Sequence, residues 1–68
     1  MLNSAFVGQW YVTAAGKMAK IVEIAHHRHA PTNYRLAHAD GAYEFWHDVA
    51  GRVEYIVGLA DYDIVGQS

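Results

Sequence analysis

The feature that most constrains the fold of this chain is the regular spacing of its turn-forming residues. Among 68 residues there is a single proline, Pro31, and there are six glycines, at positions 8, 16, 41, 51, 58 and 66. Most of the runs between them are too short for typical helices. Turns spaced roughly 8–12 residues apart are typical of small all-β domains.

Aromatic and β-branched residues fill these runs and favour strands. We predict strands over 9–13, 18–26, 34–38, 42–47 and 53–57, and a short turn with a closing strand within 59–65. Residues 14–17 are predicted to form a turn, and Asp40–Gly41 lies between apolar runs, which is a strong hairpin signal. The predicted fold is all-β, a small barrel with five main strands, formed as one domain by residues 1–68.

Residues 42–57 also carry an apolar pattern with helical spacing. The apolar positions are 42, 45, 46, 49, 50, 53, 56 and 57. Asp40 stands where it would cap such a helix. Gly51 in mid-segment disfavours the helix by about 1 kcal/mol relative to alanine. An α+β fold with one helix near 42–57 is therefore the alternative.

Composition and charge limit the classes of protein to which the chain belongs. Hydrophobic residues make up 53% of the sequence, which excludes a disordered tail. Cysteine is absent, which fits the cytoplasm that we expect as its location. The net charge of −2 disfavours nucleic acid as a partner. We expect no membrane partner either, because no apolar run approaches the length of a membrane span and no signal peptide is recognisable.

Three short motifs give the chain a resemblance to known proteins. They are the Gly16–Lys17 hairpin, Trp46 ahead of an Asp-x-x-Gly-Arg turn that ends at Arg52, and the terminal run Asp-Tyr-Asp-Ile-Val over 61–65. In this combination the chain resembles a loose group of small SH3-like β-barrel proteins of unknown function from phages and mobile elements. The resemblance implies an SH3-like barrel and such a genomic origin, and it brings no catalytic residues.

Residues 26–29 contain three of the five histidines of the chain. In an extended segment His27 and His29 point the same way, and with His38 as a third ligand they would suit zinc. The alternatives are a solvated loop that gains charge on acidification and a nucleic-acid-binding barrel in which Arg28 lies beside aromatic rings. A histidine-based metal- or pH-responsive module therefore remains an alternative function.

The aromatic side chains are too numerous for so small an interior, so some are expected at the surface. Trp and Tyr are typical of the residues that dominate binding energy in interfaces. We predict interface or ligand-binding roles for Trp10, Tyr34, Tyr43, Trp46 and Tyr55.

These observations favour a non-enzymatic module that binds an as yet unidentified protein partner through an aromatic surface and also self-associates. No catalytic residues are predicted, because the sequence shows neither a Ser-His-Asp arrangement nor a phosphate-binding glycine loop. An oligomeric enzyme with a shared pore is a more distant alternative.

Overall fold

The computed structural model describes residues 1–39 and 43–68, and there the chain is all-β. The strands are β1 (Trp10–Thr13), β2 (Met18–Ala25), β3 (Asn33–His38), β4 (Glu44–His47) and β5 (Ile64–Gln67), with a 3₁₀ turn (Ala60–Tyr62) just before β5. They form one sheet in the order β4-β3-β2-β1-β5, and every neighbouring pair is antiparallel. The last strand thus returns to lie beside the first.

The all-β prediction is confirmed, and β1, β2 and β3 each differ from the predicted range by one residue. The strand predicted over 53–57 is wrong: only Val53 pairs, in an isolated bridge with His47. The helix alternative is also wrong, because β4 occupies part of its range and Tyr55 has a φ of 70°. Such a left-handed backbone interrupts helix and strand alike. The predicted Asp40–Gly41 turn lies outside the described residues.

Alternation along the strands places the core on one face of the sheet. The buried apolar side chains are Leu2, Tyr11, Ala19, Ile21, Tyr34, Leu36 and Ile64. A β-bulge in β2 between Ile21 and Glu23 shifts the pairing with β3, so that Ile24 rather than Glu23 lies opposite Tyr34. The extra residue restores an apolar side chain to the core face, since a shift of one residue exchanges the two faces of a strand.

Two backbone contacts hold the turn after β4 against distant parts of the chain. The Ile64 N–H donates to the Gly51 carbonyl oxygen at 2.7 Å, and the Leu2 N–H donates to that of Val49 at 2.7 Å. Leu2 is fully buried, so the N-terminal segment supplies part of the core. The sheet therefore curls until its two edges approach, although no strand pairing joins β4 to β5 among the described residues.

Candidate functional site

The connection between β4 and β5 exposes three consecutive apolar side chains, which we call the apolar loop (residues 55–57). Tyr55 is 78% exposed, Ile56 50% and Val57 96%. Single exposed apolar residues are common in soluble proteins, but three or more in a row are an error in a design unless they serve a function. The apolar loop is therefore the leading candidate for a binding site.

The backbone of the apolar loop adopts an unfavourable conformation. Tyr55 is the only non-glycine residue in the described part of the chain with a positive φ, at 70°. For an L-residue the left-handed region costs roughly 1–2 kcal/mol. A bulky residue keeps it only where its surroundings impose it, and such residues cluster at functional sites.

Backbone hydrogen bonds fix the chain just before the apolar loop. The Val53 N–H donates to the Asp63 carboxylate at 2.9 Å, and the Glu54 N–H donates to the Trp46 carbonyl oxygen at 2.8 Å. These bonds tie the loop to β4 on one side and to the residue before β5 on the other. The exposed side chains of the apolar loop thus follow a backbone segment that is held in place by hydrogen bonds.

A buried amide connects the start of the apolar loop to the histidine-rich loop (residues 26–29). Asn33, at the start of β3, donates from Nδ2 to a carboxylate oxygen of Glu54. Its Oδ1 lies 2.7 Å from Nε2 of His27 and 3.4 Å from the Tyr55 hydroxyl. Because Oδ1 is only an acceptor, His27 must carry a proton on Nε2. One side chain therefore tethers both loops at the same end of β3.

Beside the apolar loop lies a shallow depression of about 240 Å³. Its lining includes apolar groups of Ile56, Val57 and Leu59, together with Arg52 and Asp63. The Arg52 guanidinium forms no ion pair within the described residues. A depression that is lined by apolar groups and by the side chains of Arg52 and Asp63 is suited to an aliphatic side chain with charged neighbours.

The two tryptophans lie elsewhere, on the outer face of the sheet. Trp10, 43% exposed, has the Lys20 ammonium 5.4 Å from its ring centroid. Trp46 is half-buried with the Arg35 guanidinium 5.7 Å from its ring. Arg35 also pairs with Glu23 at 2.7 Å and with Glu44 at 3.0 Å. Both rings are thus contacted by cations from neighbouring strands.

Two further predicted interface residues, Tyr34 and Tyr43, take different positions. Tyr34 is only 5% exposed and belongs to the core, so its expected place at the surface is wrong. Tyr43 is 56% exposed, and its ring stacks on Phe45 at a centroid distance of 5.8 Å. Of the five predicted interface residues, only Tyr55 lies in the apolar loop, and the five do not form one aromatic surface.

The predicted zinc ligands do not come together. His27 and His29 lie in the loop before β3, whereas His38 is buried at the far end of that strand. Five strand steps of about 3.3 Å separate the two ends of β3. Among the described residues no group of three or more potential ligands could hold a metal ion. The predicted site fails because β3 runs between its members.

Two buried histidines instead take part in packing. His38 and His47 stack with ring centroids 5.2 Å apart, next to Phe45 and Tyr62. Nδ1 of His47 lies 2.9 Å from the Phe45 carbonyl oxygen, and Nε2 lies 3.1 Å from that of Tyr62. The imidazole of His47 therefore connects β4 to the 3₁₀ turn.

The sequence interpretation missed Asn33, Glu54, Ile56 and Val57. The last three of these lie in the segment Val-Glu-Tyr-Ile-Val (residues 53–57), which is predicted to be a strand because it is rich in β-branched and aromatic residues. Its three consecutive apolar residues break the alternation expected of a half-buried strand. That break was the available signal for an exposed loop.

No helix in the described segments is long and apolar enough to cross a membrane. No protein-family model, no curated protein and no solved structure matches the chain.

Proposed function

We propose that this chain is a non-enzymatic protein-interaction module whose apolar loop is the binding surface. The observation that carries this proposal is the run of three consecutive exposed apolar side chains, led by Val57 at 96% exposure. Transfer of apolar surface out of water contributes about 25 cal/mol per Å². A partner that covers the loop gains this contribution without disturbing the core.

The conformation of the loop supports the same proposal. The hydrogen bonds at Val53 and Glu54 and the left-handed backbone at Tyr55 hold the exposed side chains of the loop in one orientation. A preorganised surface binds more tightly because little conformational entropy remains to be lost. By contrast, Trp10 and Trp46 already contact cations within the chain.

The strand arrangement supports an SH3-like barrel as part of this proposal. The strands form an antiparallel meander in which the final strand returns beside the first, and the contact between Gly51 and Ile64 brings the two ends of the sheet together, as a small barrel requires. The SH3-like resemblance is also the basis for proposing a phage or mobile-element origin. A cytoplasmic location remains a proposal based on the lack of cysteine.

A capture experiment with matched variants tests the proposed binding surface. Wild type, Val57→Asp and Val65→Asp would be immobilised through a non-histidine tag and exposed to cell lysate with and without nuclease. Val65 is a suitable control because it is also exposed, at 57%, but lies in β5. Substitutions at exposed sites change stability by about 0.5 kcal/mol or less, so both variants are expected to fold.

We expect wild type and Val65→Asp to retain the same protein from the lysate, with or without nuclease. A further copy of this chain counts as such a protein. Val57→Asp is expected to retain at least about tenfold less of that protein, because burying an unpaired carboxylate in an apolar interface is unfavourable. Equal retention by all three proteins, or retention that disappears with nuclease, would contradict the proposal.

A further inference from the structure

We infer that the partner of the apolar loop is a second copy of this chain, docked through the same loop across a two-fold axis. This inference depends on the proposed function and specifies its partner. In a two-fold interface the same patch lies on both sides, so the patch must be complementary to itself. The apolar loop and its depression meet this requirement in shape and in charge.

In shape, a protrusion and a hollow belong to one patch. Val57 is almost fully exposed and also contributes, with Ile56 and Leu59, to the lining of a depression of about 240 Å³. Cavities of about 150 Å³ bind benzene, so this depression has room for an isopropyl group. Across a two-fold axis, each Val57 would enter the depression of the other copy.

In charge, the same patch carries both signs. Arg52 and Asp63 both line the depression, and the Arg52 guanidinium has no ion pair among the described residues. A two-fold axis would bring Arg52 of each copy towards Asp63 of the other. A uniformly acidic or basic partner would instead meet one of these two groups with a like charge, which is unfavourable.

The size of the chain favours the same partner. A domain of 68 residues buries only about 60% of the surface of its unfolded chain. Without cysteine it has no disulfide to compensate, and association with a second copy is a common way for small domains to bury more surface.

Sedimentation equilibrium of the untagged chain tests the inference directly. Wild type, Val57→Asp, Val65→Asp and Arg52→Glu would be compared from about 10 μM to about 1 mM, the range over which a weak dimer dissociates. Circular dichroism melts would confirm that each variant is folded.

We expect wild type and Val65→Asp to dimerise with the same dissociation constant. Val57→Asp is expected to raise that constant about 100-fold, because the carboxylate would be buried without a partner in the apolar depression of the other copy. Arg52→Glu is expected to raise it by about tenfold, because it places a carboxylate opposite Asp63.

The outcomes separate this inference from the proposed function. A wild-type chain that is monomeric throughout, or a Val57→Asp variant that dimerises like wild type, overturns the inference. The proposed function survives that result if Val57→Asp still abolishes capture of a different protein from lysate. If Val57→Asp changes neither dimerisation nor capture, both the inference and the proposed function are wrong.

Discussion

The amide nitrogen of Ile64 lies 2.7 Å from the carbonyl oxygen of Gly51, at the point where the two ends of the sheet meet. Gly51 is buried and has a φ of +92°. A Cβ at this position would lie 2.7 Å from the Ile64 carbonyl oxygen and 2.9 Å from its Cβ. The close approach therefore depends on the absence of a side chain.

We predict that Gly51→Ala destabilises the protein by about 3 kcal/mol, the combined result of a left-handed alanine and a backbone clash. Gly16→Ala is the matched control, since Gly16 has a φ of +77° but nothing within 4 Å of a Cβ. It should cost only about 1 kcal/mol, the conformational part alone. Urea unfolding of both variants measures the difference, and equal losses would show that the Ile64 contact is unimportant.

Asn33 and Glu54 are predicted to be energetically coupled. Asn33→Asp keeps the shape of the side chain but turns a carboxylate oxygen towards Glu54 in place of the Nδ2 donor. We expect a loss of about 1–3 kcal/mol, the range for an unsatisfied polar group at a partly buried site.

Adding Glu54→Gln to Asn33→Asp should recover more than half of that loss, because the new amide supplies a donor. A double-mutant cycle by urea unfolding gives the coupling energy between the two positions. Strictly additive losses would mean that the bond between these side chains contributes nothing to stability.

Tyr55→Asn is predicted to affect stability and binding in opposite directions. Asparagine tolerates positive φ better than tyrosine, so the folded state should gain about 0.5–1 kcal/mol. Little is lost at the hydroxyl, whose 3.4 Å separation from the Asn33 Oδ1 is long for a hydrogen bond. Self-association should weaken, because the aromatic ring of the apolar loop is removed. A thermal melt that shows lower stability would instead assign the Tyr55 ring to the fold.

Tyr11 provides a prediction for alkaline pH. Burial, and to a lesser degree the neighbouring Tyr34, raise the pKa of the Tyr11 phenol above its ordinary value of 10.0. Its hydroxyl donates to the Gln9 amide oxygen at 2.7 Å. In the unfolded chain this phenol loses its proton first, so its contribution is complete below about pH 10 and is lost as pH rises through the folded-state pKa.

Tyr11→Phe should therefore be less stable than wild type at pH 7, by about 0.5–1.5 kcal/mol for the lost hydrogen bond. The difference in unfolding free energy between the two proteins should shrink as pH rises above about 10, where the phenol of the unfolded chain ionises first. Urea unfolding at pH 7 and at several values above about pH 10 measures it. A difference that stays constant with pH would show that Tyr11 ionises alike in both states.

The first three strands could be predicted because each combines a local preference with a clear boundary. Trp10–Thr13 is aromatic and β-branched and ends at a glycine-containing turn, so its strand propensity agrees with the position of the turn. Segment 53–57 has the same propensity but no strand partner beyond Val53. Propensity alone therefore predicted a strand where pairing does not support one.

Other features depend on contacts between distant parts of the chain. Nothing local distinguishes Leu2 from a frayed terminal residue, yet it is fully buried against the turn after β4. The bulge in β2 reverses the sides of Glu23 and Ile24, and it is set by the pairing with β3. Tyr34 is buried for the same reason, since its face of β3 is decided by the register of its neighbours.

The long connection between β4 and β5 contains two kinds of position, which tolerate substitution differently. Val53 and Glu54 are bound to the sheet, so changes there are limited by folding. Ile56 and Val57 project into solvent and leave the core unaffected. Substitutions at these two positions can therefore change the chemistry of the exposed surface while the sheet that carries it keeps its structure.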